Sequence, residues 1–385
     1  MANNNIDNEI NSIQGVVKLG KSIIDQFSQV ISELKEVDIY LTKISKANSS
    51  LSKSALAQIG DDSFATASKY GKTAAAYLSD VLEMSHAGYK NADSLAELSV
   101  AVQSASDMTD DLANKYIIAT DKAFQMNGSV EALTQTLDGA NSIANHNAVN
   151  MTELAEGMSV VGSQAASSQI DVNEITAAIG TMIAVTGKSG SEMGNAFKGI
   201  LMDLQQLTGE VNGENIDAEA LIKYKNACEA LGVSLSEVKN GAVQLKEPMQ
   251  ILKELSEKYT RLDDSDARRE NLLRAVGSND QADALNALLE NYDLYEKMLQ
   301  DYANGQGSIA REAEQTANSW EGSLNRLSNT WTDTIGNIAN SDTMITGINV
   351  LNGFLGVVNQ ITDALGSWGS IGLGAGIAAF TRNFA

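Results

Sequence analysis

Side chains able to ligate a transition metal or to form a nucleophile–base pair are scarce: two histidines, His86 and His146, and one cysteine, Cys228. No two of them stand at a ligand spacing such as i, i+4, so neither a zinc centre nor a Cys–His dyad is encoded locally. Cys228 falls between Lys225 and Leu231 on a predicted helix, where a small buried residue is the ordinary occupant. Asp263-Asp264-Ser265-Asp266 begins like a calcium loop but lacks the glycine at the sixth position and the glutamate at the twelfth. It reads better as a helix start, where acidic residues complement the macrodipole and Arg268 and Arg269 come later. Asp107, Asp110 and Asp111 form a similar solvated cluster. Gly372-x-Gly374-x-Gly376 has no preceding strand and lacks the spacing of a phosphate-binding loop. The expectation is a protein with no catalytic residues, no metal ligands and no cofactor, and hence not an enzyme.

The elements that would position such groups are helices. The 385 residues contain a single proline, Pro248, and only 5% aromatics, against 43% hydrophobic residues. Proline breaks helix interiors, so its near absence suits long uninterrupted helices, and the predicted class is all-α with at most one short hairpin. A net charge of −22 opposes a nucleic-acid surface, which needs cations to displace counterions from phosphates. One cysteine excludes an internal disulfide framework and suits a reducing compartment. The opening MANNNIDNEI carries no basic region and no apolar core, so no secretory signal is read there.

The first sixty residues show the cleanest periodicity. Ile10, Val17, Ile24 and Ile31 repeat every seven residues, as do Ile6, Ile13, Phe27, Leu34 and Leu41 with Gly20 interrupting. Val16, Ile23, Val30, Val37, Ile44 and Leu51 form a third column. Three apolar columns make a stripe wider than a two-stranded seam, which suits a bundle, a coiled coil of three or more strands, or fold-back onto the same chain. Asp38 marks where the seam weakens. Self-association is therefore expected through Ile10, Val17, Ile24, Phe27, Ile31, Leu34 and Leu41.

A polar break over Asn48–Asp62 is followed by predicted helices at Phe64–Gly88, Ser94–Asn127, Val130–Asn145 and Asn150–Ser167, the last with a capping box, Asn150 and Glu153. Asp171 and Glu174 form another, ahead of Ile175, Ile179, Met182 and Ile183 at helical spacing. Gly187 and Gly190 are placed to end that helix. Ser189 or Ser191 starts the next, whose apolar face is Met193, Ala196, Phe197, Ile200, Leu201 and Leu204. After a loop at Thr208–Ile216 comes a helix over Ala218–Leu231, then a further cap at Ser234–Glu237. A hairpin over Val238–Lys246 is predicted around Asn240-Gly241, with Pro248 in the first turn of the helix Met249–Tyr259.

The turn Gly190-Ser191-Glu192-Met193-Gly194-Asn195-Ala196, set between two apolar helices, resembles the core signature of phage tail tape-measure proteins. The resemblance continues in order through Arg268–Gly277, Gln281–Asn291 and Thr316–Gly336, and so covers about Asn150–Gly336. The loop Thr208–Ile216 is longer than the family's usual connection and leaves the docking of Ala218–Leu231 open. The motif residues are Asp171, Glu174, Gly187, Gly190, Ser191, Glu192, Gly194 and Ala196. An exit helix would present Trp320, Leu324, Leu327 and Trp331. From Thr343 to Phe380 the only charge is Asp363, and the apolar stretch Ile371–Phe380 is too short to span a bilayer reliably.

The expected organisation is a heptad-bearing helix over 1–60, a helical region over 61–150, a core over 151–305, an exit helix over 306–340 and an apolar Gly-rich segment over 341–385. The chain is expected to be the N-terminal part of a longer protein. The resemblance implies a tape measure in the tail lumen, passing through the host cytoplasm during assembly. Its implied partners are copies of itself, tube subunits and assembly chaperones. A role in genome ejection and a host-membrane contact through the last segment are also implied. A helical membrane-acting toxin or secreted effector of bacterial origin is the alternative.

Overall fold

Short polar residues placed one step before apolar runs punctuate this chain, and Ser52, Thr73, Thr109, Ser129, Asn150 and Asp171 each become a helix start. A computed structural model describes residues 32–106, 108–206, 218–239 and 242–319, together with Asn325 and Asn329. The first nine helices are α1 (32–47), α2 (Lys53–Lys69), α3 (Ala74–His86), α4 (Ala92–Ser106), α5 (Asp110–Phe124), α6 (Val130–His146), α7 (Met151–Ser167), α8 (Val172–Thr186) and α9 (Gly190–Gln206). Then come α10 (Ala218–Ala230), the strands β1 (Ser236–Lys239) and β2 (Ala242–Leu245), α11 (Pro248–Tyr259) and α12 (Ala267–Ala275). The last three are α13 (Asn279–Glu290), α14 (Tyr292–Ala303) and α15 (Ser308–Ala317). The protein is all-α, and among the described residues its one sheet is the antiparallel hairpin β1–β2, with Lys239 opposite Ala242. Every helix from α2 to α15 lies within Tyr40–Arg326, one of two units into which the chain divides; the other comprises Met1–Ile39 and Leu327–Ala385.

Several boundaries differ from expectation for local reasons. The predicted helix Phe64–Gly88 is two helices, because Gly71 takes a left-handed φ of +68° and Thr73 caps the N-terminus of α3. The polar break is shorter than Asn48–Asp62: Ser52 caps α2, its hydroxyl accepting from the Ala55 N–H at 3.1 Å. Ser94–Asn127 is likewise divided, since Thr109 caps α5 and Asp110 and Asp111 fill its first turn. Asp110 and Asp111 thus belong to a helix start, where the dipole favours them, and Asp107 lies outside the described residues. Ser234–Glu237 does not cap a helix; the Ser234 hydroxyl donates to the Ser236 carbonyl at 2.8 Å and turns the chain into β1. Pro248 opens α11 as expected. Asp266 caps α12, its carboxylate accepting from the Arg268 N–H at 2.9 Å, which accounts for the calcium-like run.

α15 ends at Ala317, two residues into the predicted helix Thr316–Gly336. Trp320, Leu324, Leu327 and Trp331 lie outside the described residues, as does the segment 341–385. So do Ile10, Val17, Ile24, Phe27 and Ile31 of the heptad series. Of that series Leu34 and Leu41 are half-buried on α1, Asp38 is exposed and Ile44 is fully buried. Leu41 folds back on the same chain: a Cβ at Gly60 of α2 would come within 3.0 Å of its Cδ1. The position between 60 and 61 falls inside α2, and that between 150 and 151 at the cap of α7.

Inside Tyr40–Arg326 the core runs along α7, α8 and α9. α7 packs on α5, α8 and α9; α8 also meets α13 and α14; α15 lies on α4; α10 lies on α12. Among the described residues no helix is long and apolar enough to cross a membrane.

Candidate functional site

The hairpin α8–α9 is built as its residues dictate. The Glu174 carboxylate accepts from the backbone N–H of Asp171 at 3.2 Å, half of a capping box that fixes where α8 begins. Burial pushes the Glu174 carboxyl upward, opposed by that same N–H. Ile175, Ile179, Met182 and Ile183 are all buried, so the predicted apolar face is the one the bundle uses. Gly187 ends α8 in the left-handed region (φ +66°), and its N–H returns to the Ile183 carbonyl at 2.8 Å.

Ser189, rather than Ser191, is the cap of α9. Its hydroxyl accepts from the Glu192 N–H at 3.3 Å, while the Glu192 carboxylate takes the Ser189 N–H at 2.9 Å and hydroxyl at 2.7 Å. Those two donors hold the Glu192 carboxyl below its usual range. Ser191 lies inside the first turn. Gly190 does not end α8 as expected; it is the first residue of α9, and its reason is a neighbour. A Cβ there would overlap the carbonyl oxygen of Glu153 on α7. One turn later, a Cβ on Gly194 would come within 2.7 Å of the Gly157 carbonyl oxygen and 2.9 Å of the Gly157 Cα. Gly190 and Gly194 therefore let the backbones of α7 and α9 meet directly, the same device by which small residues four apart bring helices together elsewhere. Gly157 completes it, since a Cβ at that position would come within 2.7 Å of Ile179 Cγ2 on α8.

Around this crossing the rest of α9 is anchored apolarly. Met193, Ala196, Phe197, Ile200, Leu201 and Leu204 are all buried. Each of the large ones removes enough apolar surface to contribute about 1.5–3 kcal/mol. The far side is closed by α13 and α14. Lys188, in the turn, reaches Asp280 and Asp283 of α13 at 2.7 Å each. A Cβ on Gly180 of α8 would approach Met298 Sδ of α14 to 2.9 Å.

Two features here had no signal in the sequence, because their partners are remote. One is the lysine clamp onto α13. The other is the start of α15, where Gly307 supplies no side-chain cap. Asp138 of α6, only 4% exposed, does so instead: its Oδ2 accepts from the Gly307 N–H at 2.7 Å and its Oδ1 from the Ile309 N–H at 3.0 Å. α14 lies between two of the motif-bearing stretches and carries no motif of its own.

His146 holds its ring Nδ1 at 2.8 Å from the Ser142 carbonyl oxygen of its own helix. Cys228 is fully buried on α10, and burial pushes its thiol up to about 12. Among the described residues no three His, Cys, Asp or Glu side chains converge to hold a metal ion. What the arrangement does is mechanical: it locks three helices at one glycine-lined crossing.

Residues 61–277, more than half of the chain, match the family model of phage-related minor tail proteins. The matched span runs from within α2 to the residue after Val276 and contains the whole crossing. No solved structure matches the chain.

Proposed function

Because the chain belongs to the phage-related minor tail protein family, and is on that ground a structural component of the phage tail, we propose that it is the tail's tape measure. On this reading it is not an enzyme. It lies in the tube lumen in several copies, held by tube subunits and assembly chaperones, and it limits how many tube subunits add. The observation that carries the reading is the place of the turn Gly190–Ala196. The stretch that resembles the tape-measure signature is the one that seats α9 on α7 at the centre of the bundle.

Length control on this reading is geometrical, because an α-helix advances about 1.5 Å per residue. The glycine-crossed bundle would be a compact plug, and the heptad segment Ile10–Leu41 the part that joins copies and extends. The apolar stretch Thr343–Phe380 would contact the host membrane during genome ejection, and loss of vesicle flotation when it is deleted from the full chain would support that role. With the family placed in the tail, the toxin or secreted-effector alternative is set aside.

The test is a nonsense mutation in the gene, with the particles viewed by electron microscopy. A tape measure predicts either no tails or tubes of unregulated length. Tails of normal, uniform length in its absence would overturn the proposal.

A further inference from the structure

Asp80 stands on α3 where α3, α4 and α5 meet, and is 1% exposed. Its Oδ2 accepts from Gln103 Nε2 of α4 at 2.7 Å and its Oδ1 from Asn114 Nδ2 of α5 at 2.8 Å. Both donors are neutral amides. The same Asn114 nitrogen reaches Glu83 Oε2 at 3.0 Å, so two carboxylates one turn apart on α3 share one amide. Gln103 Nε2 is divided as well, reaching Ser99 Oγ at 3.2 Å. Turned this way, Asn114 leaves its own Oδ1 buried without a donor. The cluster is rich in acceptors and one proton short.

Among the described residues, the charges that act most on Asp80 are negative. On α3, Glu83 acts on Asp80 in the same direction as its burial, and Tyr77 is a neutral neighbour held neutral by its own burial. From α5, Asp110 also opposes ionisation, while Lys115 pairs with Asp111 at 2.7 Å and acts at longer range on Glu83 rather than on Asp80. From α2, Asp62 adds another negative charge near Tyr77, and Lys69 is paired with Glu97 of α4 at 2.7 Å. A buried carboxylate satisfied only by neutral donors, with like charges around it, favours its protonated form.

We propose that Asp80 is a proton-binding joint: packed α3, α4 and α5 take up one proton there and release it as they part, so mildly acidic solution tightens this part of the protein and alkaline solution loosens it. Burial, partly offset by the two amide donors, pushes the Asp80 carboxyl from 3.8 up to about 7. The folded value lies above the unfolded one. The stabilisation is therefore complete below the unfolded value and is lost as the pH rises through about 7. The inference stands apart from the tape-measure reading, since it concerns packing within the chain.

The experiment is hydrogen exchange of the full chain between pH 5 and pH 8, with opening constants corrected for the intrinsic rate. One linked proton predicts that opening of the α3–α5 amides rises about 50- to 100-fold over that range. In Asp80→Asn the rise should fall below about threefold. Asp203, which burial pushes up to about 6 on α9, supplies a control: Asp203→Asn should leave the α3–α5 response unchanged. A wild-type response that is flat, or one that survives in Asp80→Asn, overturns the proposal. Should Asp80→Asn fail to fold, the carboxyl 13C resonance of Asp80 in the wild-type chain decides. A midpoint near 7 supports the joint, and one near 4 overturns it.

Discussion

Replacing Gly194 by alanine pits two physical effects against each other. In an isolated helix the change is favourable, because alanine is preferred over glycine in a helix interior by about 0.8–1.0 kcal/mol. In the bundle the new methyl would sit 2.7 Å from the Gly157 carbonyl oxygen and 2.9 Å from its Cα. Ordinary contact is about 3.5 Å, so the backbones of α7 and α9 must part by roughly 0.6–0.8 Å. The obstacle is backbone rather than a rotatable side chain, and Ile179 already fills the space beside Gly157. Overpacking of this kind costs about 1–3 kcal/mol, and parting the helices also loosens Phe197, Ile200 and Leu201. The upper end of that range less the propensity gain leaves a net loss of about 2 kcal/mol. Urea unfolding of the purified chain, followed by helical ellipticity, reads it directly. Gly190→Ala should cost more, since its methyl would overlap the Glu153 carbonyl. Lys198→Ala, at an exposed position of the same helix, should fall within about 0.5 kcal/mol of wild type. A Gly194→Ala protein as stable as wild type, or more so, would show that propensity wins and that the two backbones do not meet.

Two other perturbations follow from remote contacts. Asp138→Ala removes the acceptor of the Gly307 and Ile309 N–H groups, and should lower stability by about 2–3 kcal/mol, while Asp138→Asn, which keeps one acceptor oxygen, should lose about half as much; thermal melts of both compared with wild type check the order. Lys188→Ala should lower the thermal midpoint only slightly, because its carboxylate partners are 56% exposed and such pairs are screened by solvent; the difference from wild type should vanish in 1 M salt, where the Debye length is about 3 Å.

The parts of this structure that could be read from sequence are those whose causes lie within a few residues. The caps at Asn150 and Asp171, the left-handed Gly187, the buried face of α9, Pro248 at the start of α11 and the two-residue spacing between β1 and β2 are all of this kind. Apolar periodicity carries smoothly past Gly71 and Thr109, so the pattern alone gives two helices where the chain forms four. Gly190 was legible as special but not for the right reason. Its conformation is that of an ordinary helix residue; what excludes a side chain is Glu153, thirty-seven positions earlier in the chain. The same holds for Asp138, Lys188 and Asp80, whose partners come from other helices. Their residue types are unremarkable, and only the packing of the bundle gives them a role.

The proposed measuring role of this tail protein is tested more directly by duplication than by deletion, because the bundle is left whole. Repeating Ile10–Val30 once in the parent phage adds 21 residues, which at about 1.5 Å each predicts tails longer by roughly 32 Å in electron micrographs. Uniform tails of unchanged length would contradict it.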